Sequence, residues 1–144
     1  MGRRSAVRVL VVDDYEPFRR FVCTILETRP ELQVIGEASD GLQAVQMAAE
    51  LQPDLILLDI GLPKLNGIET ADRISRLAPN ATILFVSQET DPDVVAEVRS
   101  NGGKGYVWKQ DACTDLVPAV EAVLCGAQFV STGVAKSHAR SYLT

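Results

Sequence analysis

Val7–Val12 is an almost unbroken run of β-branched and aliphatic residues, the pattern of a parallel strand buried on both faces. Behind it Phe18, Phe21, Val22, Ile25 and Leu26 recur at three- and four-residue spacing, the apolar stripe of one helix. Pro17 fits that helix's first turn, where its missing N–H costs little, and Arg29-Pro30 ends it. Leu32–Ala38 reads as the next strand. Asp40 can cap a helix that turns Leu42, Val45, Ala48, Ala49 and Leu51 inward; Gln52-Pro53 stops it, and residues 54–58 form a third strand. A helix with Ile68, Ala71, Ile74 and Leu77 on one face leads into a strand over 82–86. A shorter, less apolar helix over 93–100 ends at Gly102-Gly103, suitable left-handed terminators, before a strand over 105–108. The last helix is expected to have Thr114 as cap and Pro118 in its first turn, with Leu116, Val117, Val120, Val123 and Leu124 inward. Gly126 terminates it.

Five strand–helix units with solid apolar strands predict an α/β fold, a doubly wound parallel sheet covered by helices on both faces. Ligand sites in such sheets lie beyond the carboxyl ends of the strands, near the point where the strand order reverses. Here those ends carry Asp13-Asp14 after strand one, Asp59 after strand three, Ser87 after strand four and Lys109 after strand five. An Asp-Asp pair alone is commonly a turn or a helix cap. Five polar groups converging from four strands are harder to dismiss. Carboxylates a few ångströms apart repel by roughly 4 kcal/mol per close pair at an effective dielectric near 20. Lys109 supplies one positive charge, and a divalent ion would supply the rest. With no His or Cys at these strand ends, all-oxygen ligation points to Mg²⁺, which bound this way commonly holds a phosphoryl group as well.

Composition narrows the picture. The chain has 144 residues, 47% hydrophobic and 23% charged, so disorder is not expected. No apolar run is long enough to span a bilayer, and the first residues lack the features of a signal peptide. Net charge is −5, which argues against nucleic acid as a partner of the whole chain. All 19 acidic residues lie between Asp13 and Glu121, whereas residues 126–144 carry only Lys136 and Arg140 besides His138. We therefore divide the chain into an extension (1–6), a folded body (7–125) and a polar linker or tail (126–144) too short for a DNA-binding domain. Cys23, Cys113 and Cys125 lack metal-ligand spacing and read as reduced packing residues of a cytoplasmic protein.

Val11-Val12-Asp13-Asp14, Leu57-Leu58-Asp59-Ile60-Gly61-Leu62-Pro63, Asn66-Gly67-Ile68-Glu69, Val86-Ser87 and Gly105-Tyr106-Val107-Trp108-Lys109 occur in that order. Together they resemble the receiver domain of two-component response regulators, the CheY-like, flavodoxin-like fold. Gln110-Asp111-Ala112 resembles the subfamily joined to a LuxR-type helix-turn-helix, and Gln128-Phe129-Val130-Ser131 the start of its linker. The resemblance implies five strands in the order 2-1-3-4-5. It implies that Asp59 takes a phosphoryl group from a sensor histidine kinase, and that Asp13, Asp14, Asp59 and the Gly61 carbonyl hold Mg²⁺. Lys109 and Ser87 would bind the phosphoryl group. Ser87 and Tyr106 would form a switch pair that remodels the surface of helix four, strand five and helix five, with a phosphorylation-linked homodimer as one output. Helix four, the least apolar, is expected to move most.

Two departures from that family stand out. Gln88 replaces a small residue and is expected to narrow access to Asp59; Trp108 replaces an aliphatic and is expected to be an exposed or interface aromatic. Other readings remain. A magnesium-dependent phosphohydrolase of haloacid-dehalogenase type would want an Asp where Gly61 stands. A flavodoxin-like cofactor binder would want a phosphate loop, not Asp13-Asp14-Tyr15-Glu16. A receiver-shaped interaction module that never meets phosphate would not need the intact acidic set.

Overall fold

Residues alternating between the two faces of the strands build two separate cores. In the computed structural model, which describes residues 6–89, 91–100 and 103–131, the elements run β1 (Val7–Val12), α1 (Glu16–Glu27), β2 (Leu32–Ala38), α2 (Gly41–Leu51), β3 (Leu55–Leu58), α3 (Gly67–Leu77), β4 (Thr82–Ser87), α4 (Pro92–Ser100), β5 (Gly103–Trp108), a 3-10 turn (Lys109–Asp111), α5 (Ala112–Leu124) and β6 (Phe129–Val130). Val9, Val11, Leu55, Leu57, Leu84 and Val107 pack under α1 and α5, against Val22, Leu26, Leu116 and Val120. Leu10, Val12, Ile56, Leu58, Phe85 and Tyr106 face α2, α3 and α4, against Ala44, Ala48, Ile74, Val95 and Val98. Strands buried on both sides cannot alternate polar and apolar, and these do not.

The sheet is parallel, in the order β2-β1-β3-β4-β5-β6. The order 2-1-3-4-5 is as expected, but the sheet has six strands, not five. The sixth comes from the segment assigned to the tail: Phe129 and Val130 pair with Gly105 and Tyr106. Ser131 then donates its N–H to the Tyr106 carbonyl at 2.9 Å and accepts the Trp108 N–H on its hydroxyl at 2.9 Å, and it is fully buried. Two residues are too few for any periodicity to announce a strand.

Capping is largely as read. Asp40 accepts the Gln43 N–H at 2.8 Å, and Gln52 takes a left-handed conformation after α2. Gly126, at φ +84°, closes α5, and the Ala127 N–H reaches back to the Ala122 carbonyl at 2.9 Å. Three expectations are corrected. Thr114 does not cap α5; the 3-10 turn runs straight into the helix at Ala112, so Pro118 lies inside it rather than in its first turn. Both Pro118 and Thr114 are exposed, so the carbonyl that loses its partner can be solvated. Gly103 begins β5 instead of ending α4, and Gly102 lies outside the described residues. Phe21, Leu42, Leu77 and Leu124 face solvent, as does Ala49. Each stripe is real, but its buried arc is rotated by about one residue; in α1, Cys23 takes the inward flank that Phe21 was given.

Only Cys23 is a packing cysteine; Cys113 and Cys125 are exposed. Burial, together with the charges of Glu37 and Glu27, pushes the Cys23 thiol up to about 11, so it is neutral and inert near pH 7. No helix among the described residues is long and apolar enough to cross a membrane.

Candidate functional site

The rim at the carboxyl ends of β1, β3, β4 and β5 is fixed by backbone hydrogen bonds before any side chain is considered. The Asp13 N–H donates to the Ala38 carbonyl at 3.0 Å, and the Asp59 N–H to the Val12 carbonyl at 3.2 Å. Strand register therefore puts the two carboxylates side by side. After β3 the chain turns sharply: the Gly67 N–H returns to the Ile60 carbonyl at 2.7 Å. Gly67 has to be glycine, because a Cβ there would lie 2.2 Å from the Asp59 carbonyl oxygen and 2.6 Å from the Ile60 Cα. Leu62 and Leu65, both buried, anchor the loop, and α3 starts on an Asn66 cap that accepts the Glu69 N–H at 2.9 Å.

Asp13, Asp59 and Ser87 are buried, whereas Asp14 is exposed at the mouth. One carboxylate oxygen from each of Asp13, Asp14 and Asp59 lies within 4.8 Å of the others. Lys109 reaches between them: its Nζ is 2.7 Å from Asp13 Oδ2 and 3.2 Å from Asp59 Oδ2, and its side chain is only 10% exposed. The other oxygens of the pair accept backbone donors. Asp13 Oδ1 takes the Tyr15 N–H at 2.8 Å, and Asp59 Oδ1 the Gly61 N–H at 3.4 Å. An open cleft of roughly 630 Å³ lies above, lined by Asp14, Asp59, Gly61, Ser87, Gln88 and Lys109 among others.

Burial pushes the Asp13 carboxyl above the ordinary carboxylate value, against the bonds from Lys109 and the Tyr15 N–H, and the charge of Asp59 adds to the rise. Burial also works against the Lys109 ammonium, but the bond to Asp13 and the charges of Asp59 and Asp13 outweigh it, so its pKa rises above that of an ordinary lysine. Three clustered carboxylates thus have one firmly protonated cation, bonded to Asp13 and Asp59 and not to Asp14, which leaves a deficit of positive charge. The donor set is all oxygen, hard and acidic, and it fits Mg²⁺ rather than zinc or copper.

Sequence reasoning brought these five residues to one rim, and the structure places them there. It left open that Tyr106 was a half-buried strand aromatic with its hydroxyl in water; instead Tyr106 is fully buried, and its hydroxyl donates to the Glu89 carbonyl. Burial lifts its phenol well above the usual value, against the pull of the Ser87 hydroxyl beside it. Trp108, expected to be an exposed or interface aromatic, is half-buried and donates its indole N–H to the Gln88 carbonyl at 3.2 Å. Two side chains on the same face of β5 therefore grip consecutive carbonyls of the β4–α4 loop. The Ser87 hydroxyl accepts the Glu89 N–H of that loop at 3.3 Å.

Two further residues were missed. Arg19 donates to the Asp13 carbonyl at 2.9 Å while paired with Glu37 at 2.9 Å, which steadies the β1 end. Phe18, read only as part of the helix stripe, lies with its ring 4.6 Å from Lys109 Nζ. Hydrophobic periodicity identifies an inward side chain but not the cation at its end. His138, Lys136 and Arg140 lie outside the described residues.

The response regulator receiver domain profile matches residues 9–121. The transcriptional regulatory protein LiaR of Bacillus subtilis is 35% identical over 129 residues, covering 90% of this chain and 61% of LiaR. A LuxR-family two-component response regulator from Aurantimonas sp. SI85-9A1 superimposes with a TM-score of 0.89 at 30% identity, covering 97% of this chain and 100% of that one. The isolated receiver domain of RcsB from Salmonella enterica serovar Typhimurium, in the presence of the phosphomimetic BeF3−, gives 0.85 at 25% identity over 92% of this chain and 99% of that one. The chain spans about three fifths of the length of the curated relatives it matches.

Proposed function

This chain belongs to the response regulator receiver domain family, and on that footing we propose that Asp59 is its phosphoacceptor, served by Lys109, Ser87 and a Mg²⁺ ion on Asp13, Asp14, Asp59 and the Gly61 carbonyl. The observation that carries the assignment is Lys109 Nζ bridging Asp13 and Asp59 at 2.7 and 3.2 Å beneath an open cleft. A carboxylate such as that of Asp59 needs no general base to act as nucleophile. As its oxygen bonds to phosphorus, the phosphorus–nitrogen bond of a phosphohistidine breaks and the electron pair returns to the imidazole. Lys109 then binds a phosphoryl oxygen and Ser87 donates its hydroxyl to another. The dication, when bound, neutralises charge on the transferring group. The partner this chemistry requires is a sensor histidine kinase.

Signalling rather than turnover of outside substrates follows from Gly61, which supplies no acid or base two residues past Asp59. The output runs through the β4–α4 loop. When the Ser87 side chain turns to donate to phosphate, its oxygen moves off the Glu89 N–H that it accepts at rest, and the loop held by Tyr106 and Trp108 readjusts. The surface of α4, β5 and α5 is where that change emerges, and a phosphorylation-linked homodimer is its natural reader. We place the chain in the cytoplasm, where such kinases deliver phosphoryl groups, and assign no DNA contact to its described residues.

Acetyl phosphate with Mg²⁺ tests this reading. Intact mass is expected to rise by one phosphoryl group, mapped to Asp59 and absent with EDTA. Uptake without magnesium, or at another residue, would overturn it. Trimming Gln88, which lines the cleft, to Ala is expected to change uptake or hydrolysis several-fold; unchanged rates would remove its gating role.

A further inference from the structure

Lys109 ends a flexible four-carbon stem, and such a cation in a cleft mouth ordinarily swings into water. Here its side chain is 10% exposed and its Nζ has three neighbours: Asp13, Asp59 and the face of Phe18. The carboxylates offer directional hydrogen bonds. The ring offers something different, an electrostatic attraction to its π-face that does not depend on how the N–H groups point. Phe18 itself is fixed from behind, packed on the core under α1 and α5. A shallow cleft bordered by Tyr15, Phe18, Gln88, Lys109 and Gln110 opens beside this contact, so without the ring the ammonium has a path to solvent.

We propose that Phe18 is a positioning residue for Lys109, its ring holding the ammonium over the acidic site while the hydrogen-bond partners of Nζ are exchanged. The inference rests on Lys109 being the cation that meets the phosphoryl group. Before transfer Nζ is bonded to two carboxylates. After transfer one of them carries phosphate, and Lys109 must exchange a carboxylate oxygen for a phosphoryl oxygen without leaving the cleft. An anchor indifferent to N–H direction permits that exchange. A leucine at position 18 would keep an apolar side chain against the core and would not provide it.

The test separates ring electronics from ring volume. Fluorinated phenylalanines placed at position 18 alone keep shape and hydrophobicity while draining charge from the ring face. The rate of phosphorylation by acetyl phosphate is expected to fall stepwise with each fluorine. Phe18→Leu is expected to lose about three- to thirtyfold, and Phe18→Trp to retain the rate. In metal-free protein, the Lys109 ε-CH₂ protons are expected to show an upfield ring-current shift that disappears in Phe18→Leu. A flat fluorine series in protein whose wild type is phosphorylated overturns the proposal and leaves the site reading intact. A normal Lys109 proton shift overturns it as well. Should wild type take up no phosphoryl group at all, the reading of the site fails and this inference fails with it. If Phe18→Leu folds poorly, the fluorinated series still decides.

Discussion

Asp59→Asn is expected to take up no phosphoryl group from acetyl phosphate, with a rate at least about a thousandfold below wild type, the scale on which loss of a nucleophile acts. The substitution keeps the shape of the side chain but replaces an anionic oxygen nucleophile with an amide. Asp59 is 6% exposed and sits at the β3 end, where its N–H is held by the Val12 carbonyl. The fold should survive, because removing one of three crowded negative charges relieves repulsion. Intact mass after donor treatment reads the first point and urea unfolding the second. Residual uptake near the wild-type rate would place the acceptor elsewhere.

Lys109→Met is expected to act on stability and chemistry together. Without the ammonium, Asp13 and Asp59 face each other buried and uncompensated, and breaking such an arrangement from one side costs about 3–5 kcal/mol. The deficit should depend on pH. Burial already raises the Asp13 carboxyl, and loss of the Lys109 bond raises it further. A carboxyl with a raised folded-state pKa favours the fold while protonated and forfeits that as pH climbs from the ordinary carboxylate range through its own value. The deficit should therefore be largest near neutral pH and shrink towards pH 4. Magnesium should restore more stability to this variant than to wild type, because the dication meets a larger unbalanced charge. Phosphorylation should slow about 100- to 1000-fold through loss of a donor to the transferring group. Urea titrations at two pH values, with and without Mg²⁺, check the set; equal stability of variant and wild type at pH 7 without metal would contradict it.

How far the sequence could carry these conclusions depended on what each residue has to satisfy. The solid runs Val7–Val12 and Leu55–Leu58 have no polar face, so only a sheet covered on both sides accommodates them. Once that sheet is parallel, Asp13, Asp59, Ser87 and Lys109 must share its rim, because each immediately follows or ends a strand. Distances of a few ångströms were implicit in that topology. What escaped were features set by tertiary contact alone. β6 is two residues long and exists because β5 offers a free edge and Ser131 finds two backbone partners on it. The start of α5 moved because a 3-10 turn at Lys109–Asp111 feeds it directly. Tyr106 and Trp108 could be placed on one face of a strand, but not tied to the Glu89 and Gln88 carbonyls, since an irregular loop has no sequence period. Phe18 was visible only as an apolar residue on a stripe.

The requirement for a dication is what separates this site from a self-contained ion-pair cluster, and calorimetric titration of metal-free protein with Mg²⁺ tests it most directly. One saturable site is expected in wild type, abolished by Asp14→Asn, which removes a carboxylate that Lys109 does not touch. Wild-type protein that takes up no magnesium, or Asp14→Asn that binds it as tightly as wild type, would contradict the assignment of these carboxylates as a metal-assisted phosphoacceptor site.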